Sequence, residues 1–300
     1  MERELWPILY RSLQEMAKEV RQKYVQLQPW VIVAAMLWAA LHDRPVSWAC
    51  DPRHWSTTEL RPATIPSEST MSRRVDAVST GVFWRALERR LRANGQPALA
   101  AFVDGKPLPV GGNSKDPDAR WGRGAGGLAK GYKLHAVWST GVLPEAWEVA
   151  PLNVSEKAVA YRLIGQLHYG GYLLADGEYD ASYLYDRAFE QGYQLAAPFR
   201  KARNPGSGKH YQSPHRLRNI ELMQHDYGQT LYKVRTSIER SFGNATAFGG
   251  GLAPLPAWVR GLERVRTWVW AKLLINAVRI VMHNDLRHPL RMLRAWERGK

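Results

Sequence analysis

The sequence predicts a mixed α/β fold, a sheet with helices on its faces, preceded by an all-α region. Three observations point there. Residues 1–95 carry apolar side chains at helical spacing, and from about residue 97 short apolar runs bounded by turn residues take over. Between residues 97 and 196 the order strand, helix, strand, helix, strand implies right-handed crossovers and parallel pairing. Within that span "GYKLHAVWS" and "LPEAWEVAP" read as an antiparallel hairpin, so the sheet is mixed. A chain of 300 residues with 45% hydrophobic content suits one main domain and a smaller appendage, and disorder does not fit. The expected division is 1–95, helical, and 96–300, the sheet domain with C-terminal helices.

The elements follow in order. "WPILYRSLQEMAKEVRQKY" has helical periodicity, and "PWVIVAAMLWAALHD" is a buried helix opened by proline. "SWACDPRHW" is a short helix. A helix over 67–79 takes Ser67 or Ser69 as its N-cap, and "GVFWRALERRLRANG" ends in a basic turn and a glycine. "ALAAFVDG" and "GYLLADG" are buried strands, and "YQLAAP" is a third. "SEKAVAYRLIGQL", capped at Ser155, and "ASYLYDRAFEQG" are the intervening helices, with Asp180 as cap of the second. Residues 199–220 hold six Lys or Arg, no acid, and many Gly, Pro and Ser, which predicts a loop. "YGQTLYKVRTSIERSFGN" and "RTWVWAKLLINAVRIVMHN" return to helix, the latter with a polar face of Lys272, Asn276 and Arg279. The thirteen tryptophans are read chiefly as core and helix-packing residues.

Charge narrows the partners. Forty-two basic against 27 acidic residues give +15 and a pI near 10.0, a surface that attracts polyanions, of which nucleic acid is the commonest large one. No membrane partner is expected, because "VIVAAMLWAAL" is too short to span a bilayer and the apolar stretch near 268–282 is broken by Lys272, Asn276 and Arg279. "MERELWPILY" lacks the pattern of a secretory leader. Cys50 is the only cysteine, which excludes an internal disulfide and a cysteine-rich zinc site. The expected location is the cytoplasm, at the nucleoid of a bacterium.

Two acids stand where chemistry is concentrated in open α/β sheets. Asp104 follows "AAFV" and Asp176 follows "YLLA", each ending a buried strand and each followed by glycine. If the strands are neighbours the carboxylates converge, and a divalent cation relieves their repulsion. An ordinary turn is the competing reading for each aspartate alone. In "YKVRTSIER" Tyr232, Arg235 and Glu239 lie along one helix face. Arg235 and Glu239 can form a plain surface pair there. Otherwise Glu239 completes a three-carboxylate site, and Arg235 and Tyr232 contact DNA phosphate or hold Glu239 in place. Glu178 joins an outer shell of such a site or repels a misplaced phosphate. His135 reads as a packed strand histidine.

Two strand-end aspartates followed by Tyr–two residues–Arg–three residues–Glu resemble the DDE transposases of bacterial insertion sequences. "VDGKPLP", "GYKLHAVW", "YLLADGEYD" and "YKVRTSIERSFG" carry the resemblance over most of residues 97–283. It implies a ribonuclease H-like sheet domain behind a helix-turn-helix-like region. It also implies a catalytic and metal-binding triad of Asp104, Asp176 and Glu239 holding two Mg2+ or Mn2+ ions. The separations, 176 − 104 = 72 and 239 − 176 = 63 residues, suit a core without a large insertion. The family pattern usually has a lysine seven residues past the glutamate, and here Thr246 stands there. The implied activity is metal-dependent cleavage of double-stranded DNA at an element's terminal repeats and strand transfer to target DNA, by at least a homodimer on DNA. A nuclease or degenerate copy is the nearer alternative, which Thr246 favours. A non-catalytic DNA-binding regulator is the farther one.

The expected DNA contacts are basic or small polar. Ser69, Arg73 and Arg74 lie on the 67–79 helix, a candidate recognition helix. Lys106 and Lys130 flank the first two strands of the sheet domain. Arg200, Lys201, Arg203, Lys209, Arg216 and Arg218 lie in the basic 199–220 stretch. "GRGAGG" (122–127) matches a dinucleotide fingerprint only literally, because its strand and helix context is missing, and it reads as a flexible basic loop. "GGLAKG" is no phosphate-binding loop, and His210 and His215 lack cysteine partners for zinc.

Overall fold

The computed structural model describes residues 2–19, 27–92, 99–139, 141–199, 212–235, 251–252 and 255–285. The chain forms two compact units. One comprises Met1–Asn94, Phe248–Leu252 and Glu263–Lys300; the other is Gly95–Ala247 with Ala253–Leu262.

The first unit is helical. Its described elements are α1 (Glu2–Glu19), α2 (Pro29–Leu41), α3 (Val46–Ala49), a 3-10 turn (Pro52–Trp55), α4 (Glu68–Arg74), α5 (Val78–Arg92) and α10 (Leu262–Asp285). α2 starts on a proline and is buried from Val31 to Leu41, as a helix apolar on every side must be. Trp6, Trp38 and Trp55 cluster at its flank, with ring centroids 4.7, 4.9 and 5.6 Å apart. Each buried indole N–H donates to a carbonyl, that of Leu60, His54 or Ala49.

Two expectations change in this unit. The 67–79 helix is two helices, since α4 ends at Arg74 and a turn precedes α5; Ser67 is its N-cap, accepting the Thr70 N–H. The polar face of α10 is turned inward in part. Lys272 and Asn276 are buried, and Lys272 Nζ donates to Ala40 O at 2.7 Å and to Asp43 at 2.5 Å. By contact α10 belongs with the N-terminal helices, whereas the sequence division puts it with the sheet.

The second unit is built on a mixed sheet. Its strands are β1 (Ala100–Pro109), β2 (Arg120–Gly124), β3 (Gly127–Trp138), β4 (Ala146–Pro151), β5 (Gly171–Leu174) and β6 (Tyr193–Ala196). Their order is β2-β3-β1-β5-β6, with β4 also on β3. β1, β3 and β4 are antiparallel neighbours, and β1, β5 and β6 run parallel. The parallel crossovers are α6 (Glu156–Ile164) and α7 (Ser182–Glu190). Val103, Val137, Val159, Leu163, Leu173, Leu184 and Leu195 form the core beneath them. This is the ribonuclease H-like arrangement expected.

Several local expectations change. β1 does not stop at Asp104 but continues to Pro109, because β3 pairs with it along its full second half. Residues 122–127 are no flexible loop: Gly124 pairs with Gly127, closing a two-residue hairpin between β2 and β3. The second half of the expected basic loop is helix α8 (Pro214–Leu222), with Ser213 as N-cap and proline in its first turn. α9 (Asp226–Lys233) ends at Val234, before the expected helix reaches Arg235; residues 236–250 lie outside those described. Asp180 does not cap α7, whose cap position is Ala181.

Candidate active site

The parallel register of β1 and β5 pairs Ala100 with Tyr172, Ala101 with Leu173 and Phe102 with Leu174. Asp104 lies two residues further along β1, and Asp176 lies two residues past the end of β5. Continued that far, the register sets the two aspartates opposite each other on one face, and Asp104 lies within electrostatic reach of Asp176. The face is that of α9, because Tyr172 meets Tyr227 of that helix edge-on, centroids 6.1 Å apart.

Asp104 stays within β1, and its carboxylate accepts the Gly105 N–H at 2.7 Å. At the end of β5 the chain leaves the sheet. Asp176 then caps a 3-10 turn (Gly177–Tyr179), accepting the Glu178 N–H at 2.8 Å. Both aspartates are half-buried. Desolvation raises the Asp104 carboxyl above its usual range; the Gly105 N–H and the Arg235 guanidinium oppose this, and Asp176 and Glu156 add to it. Arg235 Nη1 donates to the Tyr232 hydroxyl at 3.4 Å. Arg235 lies within electrostatic reach of both aspartates, and so does Tyr232, whose hydroxyl burial pushes up.

The opposite face carries groups that the sequence reading missed or read as plain packing. Lys133 is buried and pairs with Glu156, the first residue of α6. Tyr179 is buried, and its hydroxyl donates to Glu156 at 3.3 Å, tying the turn that holds Asp176 to α6. Nothing in the spacing of Lys133, Glu156 and Tyr179 announces this meeting; only the crossover from β4 through α6 to β5 creates it. His135, also buried, faces Gly105 across the β1–β3 ladder, and neither ring nitrogen has a partner among the described residues. Burial lowers its pKa to about 4.

The expected DNA contacts separate into classes. Ser69, Arg73 and Arg218 are exposed, and Lys106 is half-buried two residues beyond Asp104 on the same face. Arg74 is committed to Leu27 O at 2.6 Å, and Lys130 Nζ donates to Ser114 O at 2.6 Å. Arg216 grips Asp180 through two bonds of 2.7 Å and is spent on the protein's interior, contrary to its expected place on DNA. Glu239, Thr246, Arg200, Lys201, Arg203 and Lys209 lie outside the described residues.

The family model of the transposase DDE domain matches residues 95–275, more than half of the 300-residue chain. The chain belongs to this family. No curated protein and no solved structure matches it. The transposase domain so defined begins just before β1 and takes in Asp104, Asp176, Tyr232, Arg235 and Glu239. Membership makes a DNA-acting transposase of the chain, and among the described residues no helix is long and apolar enough to cross a membrane.

Members of this family generally use divalent metals, and the donor set can be tested for fit. Two carboxylates, both half-buried, lie within electrostatic reach, and Asp176 adds to the cost of ionising Asp104. Oxygen donors in that state suit Mg2+ or Mn2+. Among the described residues no three His, Cys, Asp or Glu side chains group closely enough to hold an ion.

Proposed function

We propose that the chain cuts double-stranded DNA at the ends of an insertion sequence and joins those ends to a target. The observation that supports this most is the proximity of Asp104 on β1 and Asp176 just past the end of the parallel neighbour β5, with Arg235 within electrostatic reach of both. In this reading Asp104, Asp176 and Glu239 hold two Mg2+ or Mn2+ ions. When bound, the ions activate the attacking water or 3′-hydroxyl and stabilise the leaving oxygen.

The chain's own residues supply position and charge. Asp104 is fixed by the sheet ladder on β3, where its partner is Ala136. Asp176 is fixed by its turn, which Tyr179 and Glu156 anchor from below. Arg235 carries positive charge to the scissile phosphate, and the Tyr232 hydroxyl orients its guanidinium. Lys106, on the Asp104 face, and exposed Arg218 contact the DNA backbone. Residues 1–95 bind the terminal repeat through Ser69 and Arg73 of α4, and pairing two ends requires at least a dimer on DNA.

The test is cleavage of a plasmid that carries the coding sequence with its native flanks. Wild-type protein with Mn2+ nicks or linearises it at the flanks, and Asp104→Ala, Asp176→Ala and Glu239→Ala do not. Normal cutting by Asp176→Ala overturns the assignment. Thr246, in place of the lysine of the family pattern, favours one second reading, a nuclease that cuts without joining. Strand transfer from pre-cut ends separates the two.

A further inference from the structure

The β2–β3 hairpin reaches beyond the rest of the sheet. β1 pairs with β3 only as far back as Pro109 opposite Gly131, so Arg120–Lys130 form a two-stranded arm. Such an arm is marginal by itself and needs a surface to lie on. Its pairing assigns the two faces. Arg120, Gly122, Gly124, Gly127, Ala129 and Gly131 share one; Trp121, Arg123, Leu128 and Lys130 share the other.

The glycine face is the seated one. A Cβ on Gly122 would stand 2.3 Å from Leu152 O, so the arm lies directly on that backbone. The other face is turned outward, with Trp121 53% and Leu128 77% exposed, and with Arg123 exposed beside them. Residues 119–131 contain three basic residues and no acid. A soluble surface does not ordinarily leave a tryptophan and a leucine side by side among cations unless something covers them.

We propose that this outward face is a DNA-contact surface separate from the acid cluster, with Trp121 laid on a base or sugar and Arg123 on phosphate. An aromatic ring beside an arginine is the combination that binds nucleic acid without reading sequence. A second copy of the chain is the poorer occupant, since it brings the same +15 charge to a basic face. Lys130 contributes less, because its ammonium already bonds Ser114 O. The proposal rests on the DNA-acting reading above.

The experiment measures binding of a labelled duplex carrying the native flank across a salt series, for wild type, Trp121→Ala and Arg123→Ala. Both variants change exposed side chains, so circular dichroism melts should match wild type. Trp121→Ala is expected to weaken binding roughly tenfold, the loss of one stacked base. Arg123→Ala should lower the slope of log affinity against log salt by about 1. A photoreactive phenylalanine analogue at position 121 should crosslink to the DNA. If wild type binds DNA and both variants bind equally well with an unchanged slope, the proposal is wrong while the functional reading stands. Wild type that binds no DNA overturns both. Variants that bind DNA normally but sediment as a smaller species assign the face to self-association and overturn it too.

Discussion

The Asp104 carboxyl is costly to ionise where it stands. Desolvation, Asp176 and Glu156 all raise its pKa, and only the Gly105 N–H and Arg235 oppose them. Replacing it with asparagine keeps the shape and removes the charge. Asp104→Asn should therefore abolish metal-dependent cutting yet raise the metal-free melting midpoint by a few degrees, the response to about 1 kcal/mol. Differential scanning fluorimetry in EDTA measures it, and a lowered midpoint would mean that the charge is well compensated. His135 behaves the other way in pH. Its folded pKa of about 4 lies below the ordinary 6.5, so as pH falls the unfolded chain takes up the proton first. Stability from this residue is complete above pH 6.5, declines between 6.5 and about 4, and then levels, a total on the order of 3 kcal/mol. Urea unfolding at pH 7 and pH 5 should show the decline, and His135→Gln should remove that part of it.

Elements announced themselves unevenly. α6 and α7 follow from apolar periodicity, because each buries one face, while α2 and the β3–β4 hairpin follow from apolar runs set off by proline or turn residues. The β2–β3 arm did not, since glycine at alternate positions imitates a loop while it allows close seating on Leu152. α8 was hidden in a basic stretch, although Ser213 followed by Pro214 is a helix-start signal. Its two arginines differ in consequence. Arg216 neutralises Asp180, whose side chain is only 3% exposed, whereas Arg218 is exposed. Arg216→Ala should cost about 3 kcal/mol by stranding a buried carboxylate. Arg218→Ala should cost less than about 0.5 kcal/mol and weaken DNA binding instead. Equal melting midpoints for the two would refute the distinction. In the arm, Gly122→Val should lift the hairpin from Leu152, which limited proteolysis within 120–131 would report as faster cleavage.

For the whole molecule, the mixture of parallel and antiparallel pairing was legible because alternation of strand and helix restricts the topology to a few solutions. The proximity of Asp104 and Asp176 was legible only in part. Each stood out as an acid after an apolar run, but their register depends on pairing that no local signal encodes. Lys133, Glu156 and Tyr179 were invisible for the same reason: their contacts cross the sheet and a crossover helix. The place of α10 among the N-terminal helices was missed because it depends on contacts between residues far apart in sequence, such as Lys272 with Ala40 and Asp43. In the proposed function the two aspartates hold metal together. Isothermal titration of Mn2+ into wild type, Asp104→Asn and Asp176→Asn tests it most directly. Wild type should bind Mn2+ and each single variant should lose at least tenfold in affinity, with both melting as folded proteins. Wild-type binding that survives either substitution unchanged would contradict the account.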